Sequence, residues 1–593
     1  MLYIYVLKFI LTFIFSFLGF ISTGYAIPSK EKSCEPLFYN NINTRGQNID
    51  RISGQTSKRP LGPIFNIFPT LTYGGLQGVL VTLSEIKLAS DGILLGPIYE
   101  QTLQHMPDGK GGITNNVTGY WPKNHMKIDE RLGGESSFIQ TVNYAKKLRF
   151  KEIWVDMVYG HLGYTWKDIL RFAENTKASY IKFDPDRKNV RLHHLEIPTP
   201  SSDEVYFNHE STTLENLILS GYVRPLDTRD VSHHHWEELE SIRDPQSDRI
   251  YHLWNELSQL SLHGLHGFNH SNPKVLEYLT ESFLKYAEAG VTGFRMDAAL
   301  YVKPEATAEI INRVHKSYPH VKFLLELLVG REAVLHRMMK EIEQRVQIPE
   351  NIFYIDFPQM YEVRRIQDQK DFQFNWYFGF IRHQNRLQMK REKLVPSIIN
   401  HDFGNPLEDT HINSVIHALT EFTHRNPTLN YPHTDIKNGN NNRHHIEDYV
   451  YQRDNTGKLI RIFSNALAPY RKNAEFFHNP MIWTGEQWIA LNSLPAHFFS
   501  DQLHTQGSYV RDSLFLKLEL PDREIVLFIK KDSLQSKYKV PVSNKEWSHS
   551  LLHYSDNNPQ VSIQHLKSKP VEASIILEIE AFGPTVALIE LKK

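Results

Sequence analysis

The stretch NPKVLEYLTESFLKYAEAGVTGFRMDAA, residues 272–299, joins a helix pattern to a strand pattern. Apolar residues such as Val275 and Tyr278 recur at helical spacing in its first part, and Pro273 stands in the first turn, where proline is tolerated. Its last part, residues 293–299, is a short strand-like run. A helix that leads into such a run is the repeating unit of a parallel α/β fold.

The same alternation extends outward in both directions, from about Pro63 to Gly485. Eight short, β-rich apolar runs can be counted within these limits. They are residues 64–68, 92–99, 152–158, 293–299, 322–328, 351–358, 394–402 and 480–485. Eight strands separated by helices predict an α/β protein built on a (β/α)8 TIM barrel, with its reactive groups at the carboxyl ends of the strands.

Two segments depart from the barrel pattern and predict further domains. About 110 residues, 162–271, separate the third strand from the next helix, so we expect an inserted lobe over the barrel mouth. From about Ser500, strand-like pieces separated by turn residues predict a C-terminal β-sandwich. The predicted division is a signal peptide (1–26), an N-terminal extension (27–62), the barrel (63–161 and 272–499), inserted domain B (162–271) and the sandwich (500–593).

The amino terminus has the composition of a secretory signal peptide. Lys8 supplies a positive charge, residues 9–22 are mostly apolar, and small residues precede a cleavage site after Ala26. The run is shorter than the roughly 20 residues of a spanning helix, although counting from Leu2 leaves an uncleaved anchor open. We expect a secreted or periplasmic protein without stable membrane insertion after cleavage, and the sequence does not choose between the two compartments.

Composition excludes several classes of function. With 41% hydrophobic residues in 593 and a formal net charge of -1, the chain can form a large core and has no overall field that attracts nucleic acid. The single cysteine, Cys34, excludes an intramolecular disulfide and a Cys-based zinc site. Adjacent histidines such as residues 233–235 point in diverging directions, so no metal site is predicted from them.

Four carboxylates stand at or near the ends of predicted strands. Asp156, Asp297, Glu326 and Asp402 follow the third, fourth, fifth and seventh runs, so a barrel would bring them to one mouth. Any one of them alone could be a helix cap. Four together predict a functional site, because like charges repel unless function requires them.

The chemistry of three of these residues suggests glycosyl transfer. Arg295 and Asp297 are two apart on a strand and share a face, so the guanidinium would keep that carboxylate ionised as a nucleophile. Glu326 has apolar neighbours on both sides, which suits a carboxyl that carries a proton as a general acid. Two such carboxyls about 5–5.5 Å apart perform double displacement at a glycosidic carbon, with a third acid stabilising the transition state.

In order along the chain, these motifs resemble those of the α-amylase family, glycoside hydrolase family 13. The four regions are DMVYGH at 156–161, GFRMDAA at 293–299, FLLE at 323–326 and INHD at 399–402. Further matches are GYW at 119–121, the FN..NP stretch at 268–273 and PMIWTGE at 480–486. The resemblance covers nearly all of the mature chain and implies the same barrel fold.

The resemblance also implies roles for individual residues. Asp297 would be the nucleophile, Glu326 the acid/base and Asp402 the stabiliser of the transition state. Among the substrate-binding residues, Arg295 would orient Asp297, His161 and His401 would bind sugar hydroxyls, and Tyr120 would stack on the sugar ring. Asp156 would be a buried partner of Arg295 rather than a catalyst. Alternatively, Tyr120 is a structural residue, a core aromatic that packs under a loop.

Departures from the family pattern concern calcium and the leaving-group sugar. Many members bind calcium between barrel and lobe, and the matching positions here are Gly160, Gly267 and Tyr301. Because calcium requires several oxygen ligands, we expect no calcium and no other cofactor. Leu300 stands where many endo-amylases carry a lysine, and Gly160 precedes His161 as in glucan-branching enzymes. Both differences weaken an assignment as a plain endo-α-amylase.

Three functions stay open on the sequence alone. The first is a retaining hydrolase of mainly α-1,4-linked glucans or maltooligosaccharides. The second is a transglycosylase of the same fold, in which an acceptor sugar replaces water. The third is a catalytically silent carbohydrate-binding homologue, which the retained acids Asp297, Glu326 and Asp402 argue against. Substrate length, endo or exo attack and the oligomeric state are not encoded in any pattern.

Overall fold

A computed structural model describes the chain from residue 61 to residue 592, with gaps. The described residues are 61, 64–72, 74–101, 105–107, 113–115, 119–163, 181–184, 189–192, 195–198, 204–208, 210–225, 232–260, 262, 265–368, 374–397, 410–427, 429–430, 480–484, 487–494, 513–519, 523–530, 535–543, 548–554, 562–566, 574–582 and 585–592. The predicted signal peptide and most of the predicted N-terminal extension lie outside them, as do His401 and Asp402.

Eight parallel strands form the central sheet. In chain order they are β1 (Ile64–Ile67), β2 (Gly92–Leu95), β3 (Glu152–Val158), β4 (Gly293–Asp297), β5 (Lys322–Leu325), β6 (Ile352–Ile355), β7 (Leu394–Val395) and β8 (Leu429–Asn430). Strands β1 to β7 pair in the order of the sequence, and β8 returns to pair with β1. A hydrogen bond from Leu429 N to Pro396 O, 2.9 Å long, links β8 to the end of β7. The predicted (β/α)8 barrel is confirmed.

Helices separate the strands and cover the outside of the barrel. In chain order the helices are α1 (Leu76–Ala89), α2 (Gly134–Lys147), α3 (Leu214–Leu219), α4 (Ser232–Ser241), α5 (Asp248–Leu257), α6 (Pro273–Ala289), α7 (Pro304–Ser317), α8 (Glu332–Glu343), α9 (Phe357–Asp368), α10 (Phe374–Arg386) and α11 (Thr410–Thr423). Because helices pack outside and side chains fill the inside, barrel strands are buried on both faces, and all seven residues of β3 are buried. None of the helices in the described part of the chain is long and apolar enough to cross a bilayer.

The sequence prediction of the eighth strand is wrong. Residues 480–485 were expected to close the barrel, but Met481–Trp483 pairs antiparallel with Trp488–Ala490 and with Ser513–Glu519. Trp483 packs in the core of the C-terminal domain. The barrel is closed instead by β8, a strand of two residues that is too short to produce an apolar run. β-propensity alone does not tell a parallel strand from an antiparallel one.

The segment between β3 and α6 is an inserted lobe of small sheets and helices. His161–Leu162 pairs with His266–Gly267 and joins the two ends of the lobe to each other. Between them, the described residues form a three-stranded antiparallel sheet, a hairpin and three helices. The sheet strands are Ile181–Asp184, Asn189–Leu192 and Leu195–Pro198, the hairpin strands are Glu204–Phe207 and Glu210–Thr213, and the helices are α3, α4 and α5.

Four more strands lie between β2 and α2, outside this lobe, and form two antiparallel pairs. Tyr99–Gln101 pairs with Pro122–Ile128, and His105–Pro107 pairs with Ile113–Asn115.

The C-terminal domain consists of two antiparallel sheets. The larger sheet has the strand order Trp488–Ala490, Met481–Trp483, Ser513–Glu519, Arg523–Lys530, Thr585–Lys592 and Ser548–Tyr554, and the smaller has the order Gln535–Ser543, Ser574–Phe582 and Ser562–Leu566. Alternate residues serve two cores: Phe515 and Phe528 face the smaller sheet, whereas Leu514 and Leu527 pack with α10 and α11. The domain is a β-sandwich, as predicted, and one of its faces rests on barrel helices.

Candidate active site

The candidate site lies at the carboxyl ends of β3, β4 and β5. Asp156 and Arg295 occupy paired positions on β3 and β4, and Asp297 lies two residues after Arg295 on the same face. Glu326 directly follows β5 and donates its backbone N–H to Met296 O, 3.2 Å away. The barrel register therefore brings together four of the charged residues that the sequence singled out.

Arg295 is the centre of this cluster. Its Nη1 donates to both Asp156 carboxylate oxygens (2.8 and 2.6 Å) and to Asp297 Oδ1 (2.9 Å). Its Nη2 donates to Glu326 Oε1. One guanidinium therefore holds three carboxylates, and Arg295 itself is 1% exposed.

Burial and charge act against each other on these groups. Burial raises the pKa of Asp156 to about 6, although Arg295 and the Tyr120 hydroxyl both lower it, so this carboxyl is still ionised at neutral pH. For Arg295, burial alone would lower the pKa, but Asp156, Glu326 and the other anions around it raise the pKa well above its ordinary value. The cation at the centre is permanent, and it compensates the acidic side chains around it.

Glu326 is held by two donors on different groups. Its Oε1 accepts from Arg295, and its Oε2 accepts the backbone N–H of Ala298 at 2.9 Å. Ala298 has left-handed backbone angles, φ 47° and ψ 39°, which are uncommon for a residue with a side chain. This conformation directly after Asp297 turns the amide toward Glu326, and strain of this kind is concentrated at functional sites.

Tyr120 and His161 border the charged cluster. The Tyr120 hydroxyl donates to Asp156 Oδ2 (2.6 Å) and accepts from Arg295 Nη1 (2.9 Å), while its ring lies over the guanidinium at 5.5 Å. Burial raises the pKa of this hydroxyl well above its ordinary value, so it stays protonated. His161 is buried, and its Nε2 lies 3.1 Å from the carbonyl of Tyr120. Of the predicted substrate-binding residues, Tyr120 thus contacts Asp156 and Arg295 directly, and His161 contacts the backbone of Tyr120.

Two of the predicted site residues lie outside the described part of the chain. They are Asp402 and His401, which follow β7 in sequence. β7 pairs with β6 and ends at Val395, six residues before His401. Their predicted roles stay predictions.

The sequence reasoning missed the contributions of Ala298 and His125. Ala298 acts through its backbone, so no side-chain motif could reveal it. His125 lies buried among the rings of Tyr99, Phe268 and Tyr278, and its Nε2 is 2.7 Å from Val158 O at the end of β3. Since a carbonyl only accepts, Nε2 carries the proton, and burial lowers the pKa of His125 to about 4. The neutral ring supports the β3 end from outside.

The residues at the family's calcium position do not fit that ion. Gly160 and Gly267 offer no side-chain oxygen, and Tyr301 forms part of the hydrophobic packing. A Cβ on Gly267 would overlap the guanidinium of Arg224, which donates to Ser258 O. Burial lowers the pKa of Arg224 to about 10, so it remains a cation at neutral pH. Among the described residues, no group of three or more His, Cys, Asp or Glu side chains is arranged to hold a metal.

Fold and site together define a class of protein: a barrel enzyme with several carboxylates at its mouth, which is the equipment of a glycosidase. A sequence profile described as the catalytic domain of alpha amylase matches residues 42–350, just over half of the chain. The protein therefore belongs to the α-amylase family, glycoside hydrolase family 13, and is a glycosidase-type enzyme.

Solved structures of this family share the fold. An α-amylase from Geobacillus thermoleovorans, solved with acarbose, is 14% identical with a TM-score of 0.54, and the match covers 90% of this chain and 98% of that one. CldA, described as a cyclomaltodextrin glucanotransferase with three domains, is 15% identical with a TM-score of 0.62 over 90% of this chain and 100% of that one. A γ-cyclodextrin glucanotransferase from alkalophilic Bacillus clarkii is 14% identical with a TM-score of 0.57, covering 90% and 68%. No curated protein sequence matches the chain significantly.

Proposed function

We propose that the protein is a retaining hydrolase of α-glucosidic bonds, mainly α-1,4, in glucans or maltooligosaccharides. The observation that carries this proposal is the single guanidinium of Arg295, which binds Asp297 and Glu326 at once. Two carboxyls that are fixed side by side at a barrel mouth, on consecutive strands, are the minimum equipment for double displacement.

In the first step, an oxygen of Asp297 attacks the anomeric carbon while Glu326 donates a proton to the glycosidic oxygen. The bond from the anomeric carbon to the leaving sugar breaks, and a covalent glycosyl ester forms on Asp297. Arg295 orients Asp297 through the 2.9 Å hydrogen bond from Nη1 to Oδ1. Tyr120, whose hydroxyl is bound to Asp156, would present its ring to the sugar.

In the second step, Glu326 takes a proton from water, which attacks the anomeric carbon and releases Asp297. The two oxygens of Glu326 accept N–H groups from Arg295 and Ala298, which suits the carboxylate form that acts as the base. The family resemblance adds Asp402 as stabiliser of the oxocarbenium-like transition state and His401 as a donor to a sugar hydroxyl.

Transfer to an acceptor sugar is the second candidate, and one observation favours it. Two of the structures with the same fold are described as cyclomaltodextrin glucanotransferases. Transfer and hydrolysis share the covalent intermediate and differ only in what resolves it. A product profile on maltoheptaose separates them: glucose and short oligomers indicate hydrolysis, and longer, branched or cyclic products indicate transfer.

The proposed enzyme works without calcium. Arg224 is a fixed cation against Gly267, and a second cation there would be repelled without carboxylates to bind it. We also propose secretion or export to the periplasm, which rests on the apolar N-terminal run of residues 9–22.

Replacing Asp297 by alanine tests the proposed function. Loss of the covalent step should lower kcat on an activated α-maltoside by at least about 10³-fold. Added azide should then restore turnover and yield a β-glycosyl azide, because azide attacks from the face that Asp297 has vacated. Full activity of the Asp297→Ala variant would refute the proposal, and so would inactivity of the wild-type enzyme on every α-glucan tested.

A further inference from the structure

A helix of the inserted lobe is bonded to the loop that carries Glu326. Trp236 Nε1 on α4 donates to Leu328 O at 3.0 Å, and Glu240 Oε1 accepts the backbone N–H of Gly330 at 2.5 Å. Arg331 Nε donates to the backbone carbonyl of Glu240 at 2.9 Å. Three hydrogen bonds therefore join α4 to the residues that immediately follow Glu326.

The spacing on the two sides is complementary. Trp236 and Glu240 are four residues apart, which places them on one face of α4 about 6 Å apart along the axis. Leu328 and Gly330 are two residues apart in the loop, and each provides a backbone group to this face of α4. One helix face can therefore bind alternate backbone groups of the loop. A Cβ on Gly330 would lie 2.9 Å from Tyr361 on α9, so the glycine permits this close approach.

The loop is anchored at both of its ends. At the start, the Glu326 N–H binds Met296 O of β4, and a tight turn links Val329 N to Leu327 O at 2.8 Å. At the end, only a few residues later, α4 holds Gly330 and Arg331. The position of the Glu326 carboxyl between Arg295 and Ala298 therefore depends on a segment that α4 fixes.

The carboxyl of Glu240 is largely buried, and burial disfavours its charged form. Burial raises the pKa of Glu240 to about 7, opposed by the Gly330 N–H and by Arg331. Burying a carboxyl is costly unless hydrogen bonds compensate it. Its main compensating partner is a backbone amide of the Glu326 loop, so Glu240 and the loop geometry depend on each other.

We propose that Glu240 and Trp236 are positioning residues for the acid/base Glu326, acting through residues 326–331. This inference rests on the proposed function, because Glu326 is taken to protonate the leaving group. The inserted lobe then does more than shape the outer sugar sites: it sets the geometry of proton transfer.

Comparing two leaving groups tests this proposal. Maltoheptaose releases a sugar alkoxide that needs a proton, whereas α-maltosyl fluoride releases fluoride without acid assistance. In Glu240→Ala, kcat/KM on maltoheptaose should fall by roughly 10–100-fold, whereas kcat/KM on the fluoride, which reports only the steps up to formation of the glycosyl ester, should change by less than about threefold. Trp236→Phe, which removes the indole N–H donor and keeps an aromatic ring, should show the same selectivity to a smaller degree. Glu240→Gln keeps an acceptor for Gly330 N–H and should restore near wild-type values.

The matched control is Glu238→Gln on the same helix, because Glu238 is exposed and pairs with Arg249 on α5. It should leave both substrates unaffected. Equal losses of Glu240→Ala on both substrates, or no loss on either, would overturn the positioning role while leaving the proposed function intact. If Glu240→Ala fails to fold, Trp236→Phe decides by the same criterion: a loss on maltoheptaose alone supports the positioning role, and an equal loss on both substrates or no loss overturns it. Failure of the wild-type enzyme to cleave either substrate would instead overturn the proposed function.

Discussion

Two buried charge clusters lie at opposite ends of the same barrel strands, and they differ in their balance of charge. At the amino ends, Lys322 of β5 binds Glu152 of β3, and Trp154 Nε1 donates to Glu152 Oε2 at 3.0 Å. At the carboxyl ends, Arg295 faces Asp156, Asp297 and Glu326. The lower cluster, at the amino ends, pairs one cation with one anion. The upper cluster, at the carboxyl ends, pairs one cation with three anions.

From this difference in charge balance we infer that the cluster at the amino ends is structural and that the cluster at the carboxyl ends is functional. A one-to-one pair with its hydrogen bonds satisfied is self-sufficient and fills the barrel floor. An excess of carboxylates around one guanidinium is stable only with further compensation, such as a proton or the positive charge of a glycosyl transition state. The same strand period of two produces both clusters, because Glu152 and Asp156, like Lys322 and Glu326, lie on one face of their strands.

Removing the upper cation should have the largest effect. In Arg295→Met, three buried carboxylates lose their partner, so we expect kcat to fall by about 10²–10³-fold and the free energy of unfolding to fall by about 3–5 kcal/mol. Steady-state kinetics and urea unfolding of the purified variant provide the two numbers. Wild-type kcat in a folded Arg295→Met protein would contradict the role of Arg295 in orienting Asp297.

Replacing Lys322, the cation at the amino ends, should lower the free energy of unfolding and leave kcat unchanged. Lys322→Met leaves Glu152 unpaired and should cost about 3–5 kcal/mol of unfolding free energy, with kcat per folded molecule unchanged. Adding Glu152→Gln, which still accepts from Trp154, should recover most of this loss because the uncompensated charge is gone. A Lys322→Met variant as inactive as Arg295→Met would show that the floor is part of the catalytic machinery.

Acid should destabilise the barrel through buried neutral histidines. The pKa of His125 is lowered by burial to about 4, whereas the unfolded chain binds the proton near pH 6.5, so unfolding takes up protons as the pH falls. Stability should therefore be lost between pH 6.5 and 4, by up to about 3 kcal/mol for this residue. Thermal melting of His125→Gln should show a weaker pH dependence in this window than melting of wild type or of the exposed control His252→Gln. If the melting temperature depends on pH equally in all three proteins, the predicted contribution of His125 is wrong.

Chelation should have the smallest effect. Because Arg224 lies against Gly267, where the family's calcium ligand would be, EDTA should shift the melting temperature by less than about 1 °C and leave kcat unchanged. Metal analysis of the untreated protein should find no stoichiometric calcium. One tightly bound calcium at this junction, with loss of stability on its removal, would contradict the proposal.

How far the sequence could predict the structure depended on strand length. β3 was predicted to the residue because seven consecutive buried positions form a long apolar run. β8 was missed because a strand of only two residues carries no pattern, and a β-rich hairpin at 481–490 took its place in the prediction. The upper cluster could be predicted from strand ends and the spacing of Arg295 and Asp297. The Ala298 amide, the α4 contacts and Arg224 could not, since each depends on tertiary geometry rather than on local pattern.

The central claim is that Asp297 forms a covalent bond to the sugar, and trapping that ester tests it directly. In Glu326→Gln, α-maltosyl fluoride can still lose fluoride to attack by Asp297, but the base that activates water is missing, so the intermediate should accumulate. Intact-protein mass spectrometry should show one added maltosyl group, and peptide mapping should place it on Asp297. A label on any other residue, or turnover to an inverted product without a label, would contradict the account.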